Sequence, residues 1–382
     1  MEFKVNSKEL EKLLTKIIPA VPTRTPMSIL ENFLFEIKDG SLTIIATDLE
    51  ISMKSSINIV AEENISLVVP AKLTYDILKS LGDTTVNFEI TENKKINLKT
   101  EYGEYSISYL DAEEYPEIPS FPTEEDEINE FNINGLQLKS AFDTSAFAMS
   151  KEEMRPAMMG TLLEFEEEGL RFVATDGHRL VNLLKKGIHA DFLEEDDKKE
   201  VKYVIPEKAI TVLQKILDDK DVTVYMSNTH MSFKLSDIEL ITRLISQKYP
   251  EYRSVIPLEN EFELKLKTKD LLAAIKRMML FSVSSSTRRV KFSITENNLE
   301  ISAEDVDMGN SGKEHIECEY NGTPIDIGFN AQYVNDILSH LTSEEKIVFK
   351  LHSANKAVII VPEKSNEKQD LMMLIMPVRL NN

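Results

Sequence analysis

Phe3-Lys4-Val5-Asn6-Ser7-Lys8-Glu9-Leu10-Glu11-Lys12-Leu13-Leu14-Thr15-Lys16-Ile17-Ile18 opens the chain, and its spacing of apolar residues changes halfway along. Phe3 and Val5 alternate with polar neighbours as in a half-buried strand. From Ser7 the apolar positions Leu10, Leu13, Leu14 and Ile17 recur at the helical period. The same switch returns at Phe131-Asn132-Ile133 followed by Gly135 to Met149, and at Leu264-Lys265-Leu266 followed by Thr268 to Ser282. A strand-helix opening that recurs about every 130 residues predicts three diverged copies of one unit.

The rest of each copy keeps register with its opening. Strand pairs follow at Asn32 to Ile37 with Ser41 to Thr47, at Thr161 to Glu166 with Gly169 to Thr175, and at Lys291 to Thr295 with Leu299 to Ala303. Tight turns such as Lys38-Asp39-Gly40 join them. An acidic corner comes next: Thr47-Asp48-Leu49-Glu50, Thr175-Asp176-Gly177-His178 and Glu304-Asp305. A second helix then starts at Pro70-Ala71-Lys72, Pro206-Glu207-Lys208 and Asn330-Ala331-Gln332, where a proline costs nothing because the first helical N–H has no partner. Paired strands close the copies near Tyr115-Pro116-Glu117, Tyr249-Pro250-Glu251 and Met376-Pro377-Val378. The fold class is α+β, in three domains expected at 1–122, 129–257 and 261–382, with Pro119 to Glu130 and Pro257 to Glu261 as linkers.

Composition narrows the function. A length of 382 residues suits two to four domains, and 42% apolar with 29% charged residues suits an ordinary globular protein. No apolar run approaches the ~18–20 residues that span a bilayer, and the first residues lack a signal-peptide core, so a cytoplasmic location away from membranes is expected. One cysteine, Cys318, excludes an intrachain disulfide and a cysteine-based zinc site. The six histidines show no metal-ligand spacing, and no Walker A, dinucleotide or His-Glu-x-x-His motif is present; no cofactor is expected. The acidic runs Glu124 to Glu127 and Glu194 to Asp197 read as solvated loops. Asp176 and His178 suggest a dyad only superficially, for no nucleophile or oxyanion site accompanies them.

A net charge of −21 argues against nucleic acid, yet the charge is segregated. The six helical stretches carry +4 in sum, through lysines such as Lys8, Lys12, Lys72, Lys139, Lys208 and Lys276. If the helices share one surface, it is weakly cationic within an acidic protein; alternatively these are ordinary solvated helix faces.

Val173-Ala174-Thr175-Asp176-Gly177-His178-Arg179-Leu180, Val69-Pro70-Ala71-Lys72, Tyr249-Pro250-Glu251-Tyr252-Arg253, Ile327-Gly328-Phe329-Asn330 and the terminal Met376-Pro377-Val378-Arg379-Leu380 resemble the bacterial DNA sliding clamp family over the whole length. The resemblance implies three clamp domains, each with two helices inside and two four-stranded antiparallel sheets outside, and a head-to-tail homodimer closing a ring around double-stranded DNA, without sequence preference or catalysis. It implies a pocket that takes short linear peptides from the replicative polymerase, the clamp loader, and repair and translesion enzymes. The matching positions are Met158, Thr175, Gly177, His178, Arg179, Leu180, Pro250, Val255, Asn330, Tyr333, Leu374, Met376, Pro377, Val378, Arg379 and Leu380. DNA contacts carry over to Arg24, Lys72, Lys151, Arg155 and Lys208, and the dimer interface to Tyr105 and Ile107 against Leu280 and Phe281, each of which could instead be core. Two places depart from the pattern: Glu101-Tyr102-Gly103-Glu104 is acidic where relatives often carry basic residues, and Ser254 and Thr287 stand where larger side chains are common. A repeat-built scaffold that binds peptides without encircling DNA is the alternative.

Overall fold

A computed structural model describes residues 1–61, 63–122, 128–188, 190, 192, 200–282, 288–305 and 308–380. The acidic runs at 124–127 and 194–197, part of the first linker, and Thr287 lie outside these residues.

Six helices of nine or more residues stand among the described residues: α1 (Ser7–Ile17), α2 (Ala71–Ser80), α3 (Gly135–Ser145), α4 (Glu207–Ile216), α5 (Thr268–Met278) and α6 (Ala331–Ser339). Each falls where the sequence predicts one. The first helices of the second and third copies end earlier than expected, each closing in a 3-10 turn, Ala146–Ala148 and Met279–Phe281. Asn6 and Asn330 cap α1 and α6, their side-chain oxygens accepting from the second and third helical N–H groups. The turn at Asp39 and Gly40 has φ of 51° and 76°, the conformation that a two-residue hairpin loop requires.

Among the described residues the strands form four antiparallel sheets of five, nine, nine and four strands. This differs from the expected six sheets of four. Strand Ile51–Asn58 of the first copy pairs with Ile238–Arg243 of the second, and Arg179–Lys186 of the second pairs with Gln369–Ile375 of the third. Sheets of neighbouring copies are thereby fused, and short strands such as Val60–Ala61 and Leu110–Asp111 extend two of them.

The chain divides into two compact units that cut through the middle copy: 1–139 with 208–244, and 140–207 with 245–382. In the first, α1 packs beside α2 over a core including Leu10, Leu14, Phe33 and Phe35, all at most 1% exposed. In the second, α5 packs beside α6, with Phe292 against Phe329 and Phe349. Cys318 is buried, and that burial pushes its thiol up to about 11. No helix of the described residues is long and apolar enough to cross a membrane.

Candidate functional site

The corner Thr175-Asp176-Gly177-His178 is built by its own side chains. Thr175 Oγ1 donates to the Arg179 carbonyl at 2.7 Å and accepts from the Gly177 N–H at 3.0 Å. Asp176 Oδ1 accepts from the N–H groups of His178 and Arg179 at 2.9 and 3.0 Å. Gly177 has φ of 87°, and a Cβ there would stand 3.1 Å from Arg155 Nη1, so a glycine suits the turn twice over. Thr47 and Asp48 make the same bonds around Leu49 and Ile51, which confirms that the corners are equivalent. Asp176 spends its carboxylate on backbone and on Arg179 Nε (3.0 Å), and shares no hydrogen bond with the His178 ring. The geometry is that of a turn, with no base and no nucleophile paired.

Arg179 then joins the second copy to the third. Its guanidinium donates to Asp336 and to the Phe147 carbonyl (2.9 Å) and lies over the rings of Tyr333 (4.7 Å) and Phe147 (5.3 Å). The His178 ring stacks on Tyr333 at 5.9 Å. On the other side, Leu180 and Leu374 are register partners, the Met376 N–H donates to the His178 carbonyl at 2.8 Å, and the Val378 N–H donates to the Gly328 carbonyl at 2.9 Å. A Cβ at Gly328 would stand 2.6 Å from the Val378 oxygen, so the tail can seat only over a glycine. Asn330 serves first as the α6 cap.

The sixteen candidate pocket positions thus separate by depth. Met158, Thr175, Leu180 and Leu374 are buried; Arg179, Asn330, Tyr333, Pro377, Val378 and Leu380 are half-buried; Gly177, His178, Pro250, Val255, Met376 and Arg379 form an exposed rim. Met158 and Val255 come near through their own segments, a 3-10 turn at Pro156–Met158 and another at Tyr252–Val255. Beneath lies an apolar floor in which Leu180 and Leu374 pack with Leu162, Val173, Val204, Tyr249 and Tyr252. The sequence reading missed the last five as site residues, although Tyr249 and Tyr252 flank the quoted Pro250.

A second omission lies under that floor. Glu164 is 0% exposed, and its carboxylate accepts from Tyr252 Oη (2.6 Å), Arg253 Nη1 and Nη2 (2.9 and 2.8 Å) and Lys202 Nζ (2.9 Å). Burial alone would raise this carboxyl; the hydrogen bonds from Tyr252, Lys202 and Arg253 outweigh it and hold the group at about 2. The network fixes the segment that carries Pro250 and Val255.

The expected cations are placed unequally. Arg24 is exposed in its loop. Lys72 is 89% exposed beside Asp76 (3.6 Å), Lys151 is 84% exposed beside Glu207 (3.4 Å), and Arg155 is half-exposed beside Glu152 (3.2 Å). Lys208 has a side chain 43% exposed, is ion-paired with Asp48 and lies 3.7 Å from Glu50. Of the interface residues, Leu280 is 72% exposed, and Phe281 and Tyr105 are half-buried. The side chain of Ile107 is 4% exposed, which agrees with the core alternative the sequence left open for it. What that position can offer a second copy is its backbone, on the outermost strand of a sheet.

Three family models match in order: the N-terminal, central and C-terminal domains of the DNA polymerase III beta subunit, at residues 1–119, 132–251 and 253–379. The chain belongs to the DNA polymerase III beta subunit family. Beta sliding clamps of Vibrio cholerae and Bacillus subtilis are 26% and 28% identical to this chain, covering 99–100% of each chain. A crystal structure of the beta subunit from Bartonella birtlesii bound to griselimycin superposes with a TM-score of 0.90 at 28% identity over 100% of both chains. As a member of this family the chain is a sliding clamp, a processivity factor of DNA replication without catalytic activity of its own.

Proposed function

We propose that the clamp closes as a head-to-tail homodimer around duplex DNA and holds polymerase, clamp loader, and repair and translesion enzymes through one peptide pocket in residues 158–380. The carrying observation is the apolar cluster that includes Leu180 and Leu374, with the exposed apolar side chains of Val255 and Met376 on the matching segments. An apolar site with a few fixed polar groups suits a peptide bearing a glutamine and bulky apolar side chains. Methionine at Met158 and Met376 lets the walls repack around different partners.

Arg24, Lys72, Lys151, Arg155 and Lys208 are the proposed phosphate contacts. Four of them already stand near a carboxylate, so their grip is weak. Weak contacts suit a ring that must slide. A cytoplasmic location follows from such a role.

Val255→Asp tests the pocket cleanly, because Val255 is 55% exposed and the change leaves the fold intact. A fluorescent peptide with glutamine followed by bulky apolar residues is expected to bind this variant about tenfold more weakly, the cost of one well-packed interface contact. Equal affinity for variant and parent places the peptide elsewhere.

A further inference from the structure

The corners of the first and second copies each set an aspartate into the turn, but they neutralise it differently. Asp176 gives one oxygen to backbone N–H groups and the other to Arg179 on its own strand (3.0 Å). Asp48 likewise gives Oδ1 to the N–H groups of Glu50 and Ile51 at 3.0 and 2.9 Å. Ile51, however, stands where the second copy has Arg179, so the strand brings no cation. The buried Oδ2 of Asp48 faces Lys208 instead, the second residue of α4. The matching position of α6 is the uncharged Gln332, which donates to Asp336 at 2.7 Å. One cation per corner is kept, moved from strand to helix.

That exchange anchors Lys208 more firmly than the other proposed phosphate contacts. The carboxylates beside Lys72, Lys151 and Arg155 have side chains 53%, 39% and 58% exposed, where an ion pair contributes little. Asp48 is 4% exposed and fixed by its turn. A second anion follows: Glu50, with a side chain 72% exposed, lies 3.7 Å from the same ammonium. A lysine has three N–H donors to share. Asp48 takes the buried side of Lys208 and Glu50 the side toward solvent, and one cation between two anions leaves the cluster net negative.

We propose that Glu50 limits the hold of Lys208 on DNA: it competes with phosphate for the solvent side of the ammonium that Asp48 anchors, and so keeps this contact weak enough for a ring to slide. Glu50 acts through Lys208 and is a positioning residue; its role rests on the enclosure of duplex proposed above. The Glu50 backbone is already engaged, its N–H donating to Asp48 and its carbonyl accepting from the Arg243 N–H at 3.1 Å, so neutralising the side chain leaves the turn intact.

Binding of the full-length protein to a short fluorescent linear duplex, titrated across salt, tests this. E50Q is expected to bind about threefold more tightly at low salt, the scale of one exposed ion pair. It should also steepen the fall of log affinity with log salt, by part of the ~0.9 that a complete phosphate contact adds. Glu92→Gln removes the same charge from an exposed turn of the five-stranded sheet and should match the parent. K208Q is expected to weaken binding, and E50Q/K208Q to equal K208Q. Tightening that persists without Lys208, or that Glu92→Gln reproduces, overturns the role of Glu50. So does an E50Q affinity equal to the parent's while K208Q weakens binding. A K208Q affinity equal to the parent's instead removes Lys208 from the phosphate contacts, and with it the reading on which the role of Glu50 rests.

Discussion

Glu164→Ala lowers the stability of the unit formed by residues 140–207 and 245–382 by about 3 to 5 kcal/mol, the usual cost of removing one partner from a buried ionic network. The carboxylate is fully buried, and its removal takes away the acidic group that Arg253, Lys202 and Arg171 approach, while Glu166 still pairs with Arg171 and Arg253. Arg253 Nη2 also reaches Glu166 at 2.5 Å, so part of the network survives, which sets the lower end of the range. The pH dependence follows from the sign of the shift. The carboxyl sits at about 2 in the fold against an ordinary 4.5, so its contribution is complete above pH 4.5 and is lost as pH falls toward 2. Denaturant unfolding at pH 7 and at pH 3 checks this: the parent loses stability between them, and the variant loses correspondingly less. A variant within 1 kcal/mol of the parent at pH 7 would show that the network contributes little. Because Tyr252 and Arg253 anchor the turn that carries Val255, peptide affinity falls as well, and Glu164→Gln, which keeps shape and loses charge, should lie between.

Removing residues 376 to 382 abolishes peptide binding, at least about a hundredfold, while the dimer persists. Met376, Pro377, Val378 and Leu380 supply one wall of the pocket, and several packed apolar contacts at a small site together exceed about 3 kcal/mol. The tail is attached by few bonds, the Met376 N–H to His178 and the Val378 N–H to Gly328, so its loss exposes the floor at Leu374 without unpairing the strand Gln369–Ile375. The expected dimer residues Tyr105, Ile107, Leu280 and Phe281 lie on other elements. Peptide titration and native mass on the truncated protein read both effects. Full-strength peptide binding to it would remove the tail from the site.

The repeat was legible because strand alternation, helix period and turn residues are local signals, and they placed the helix starts to within a residue or so. The fused sheets were not legible. Met53 pairs with Leu240 and Val181 with Met373 across about 190 residues, and an alternating strand reads the same whether its edge is free or occupied. The same distance hid two charged residues. Glu164, between Leu163 and Phe165, looks like a solvent-facing strand position until Tyr252 and Arg253 fold over it. Lys208 looks like a free cation at a helix start until Asp48, from the preceding copy, meets it. The pocket rim was readable from the corner and tail motifs, whereas its floor at Val204, Tyr249 and Tyr252 is assembled from segments whose apolar residues could equally have been ordinary core.

The central claim is retention by enclosure with weak, sequence-blind contacts, and salt resolves it. The clamp is loaded on circular duplex and, separately, on linear duplex with open ends, and its release is followed as salt is raised. Enclosure predicts that the circular complex persists at salt concentrations that empty the linear one, and that cutting the circle releases it. Equal, salt-sensitive loss from both would mean that the protein is held by phosphate contacts alone, whose affinity falls steeply with salt, and that it does not encircle DNA.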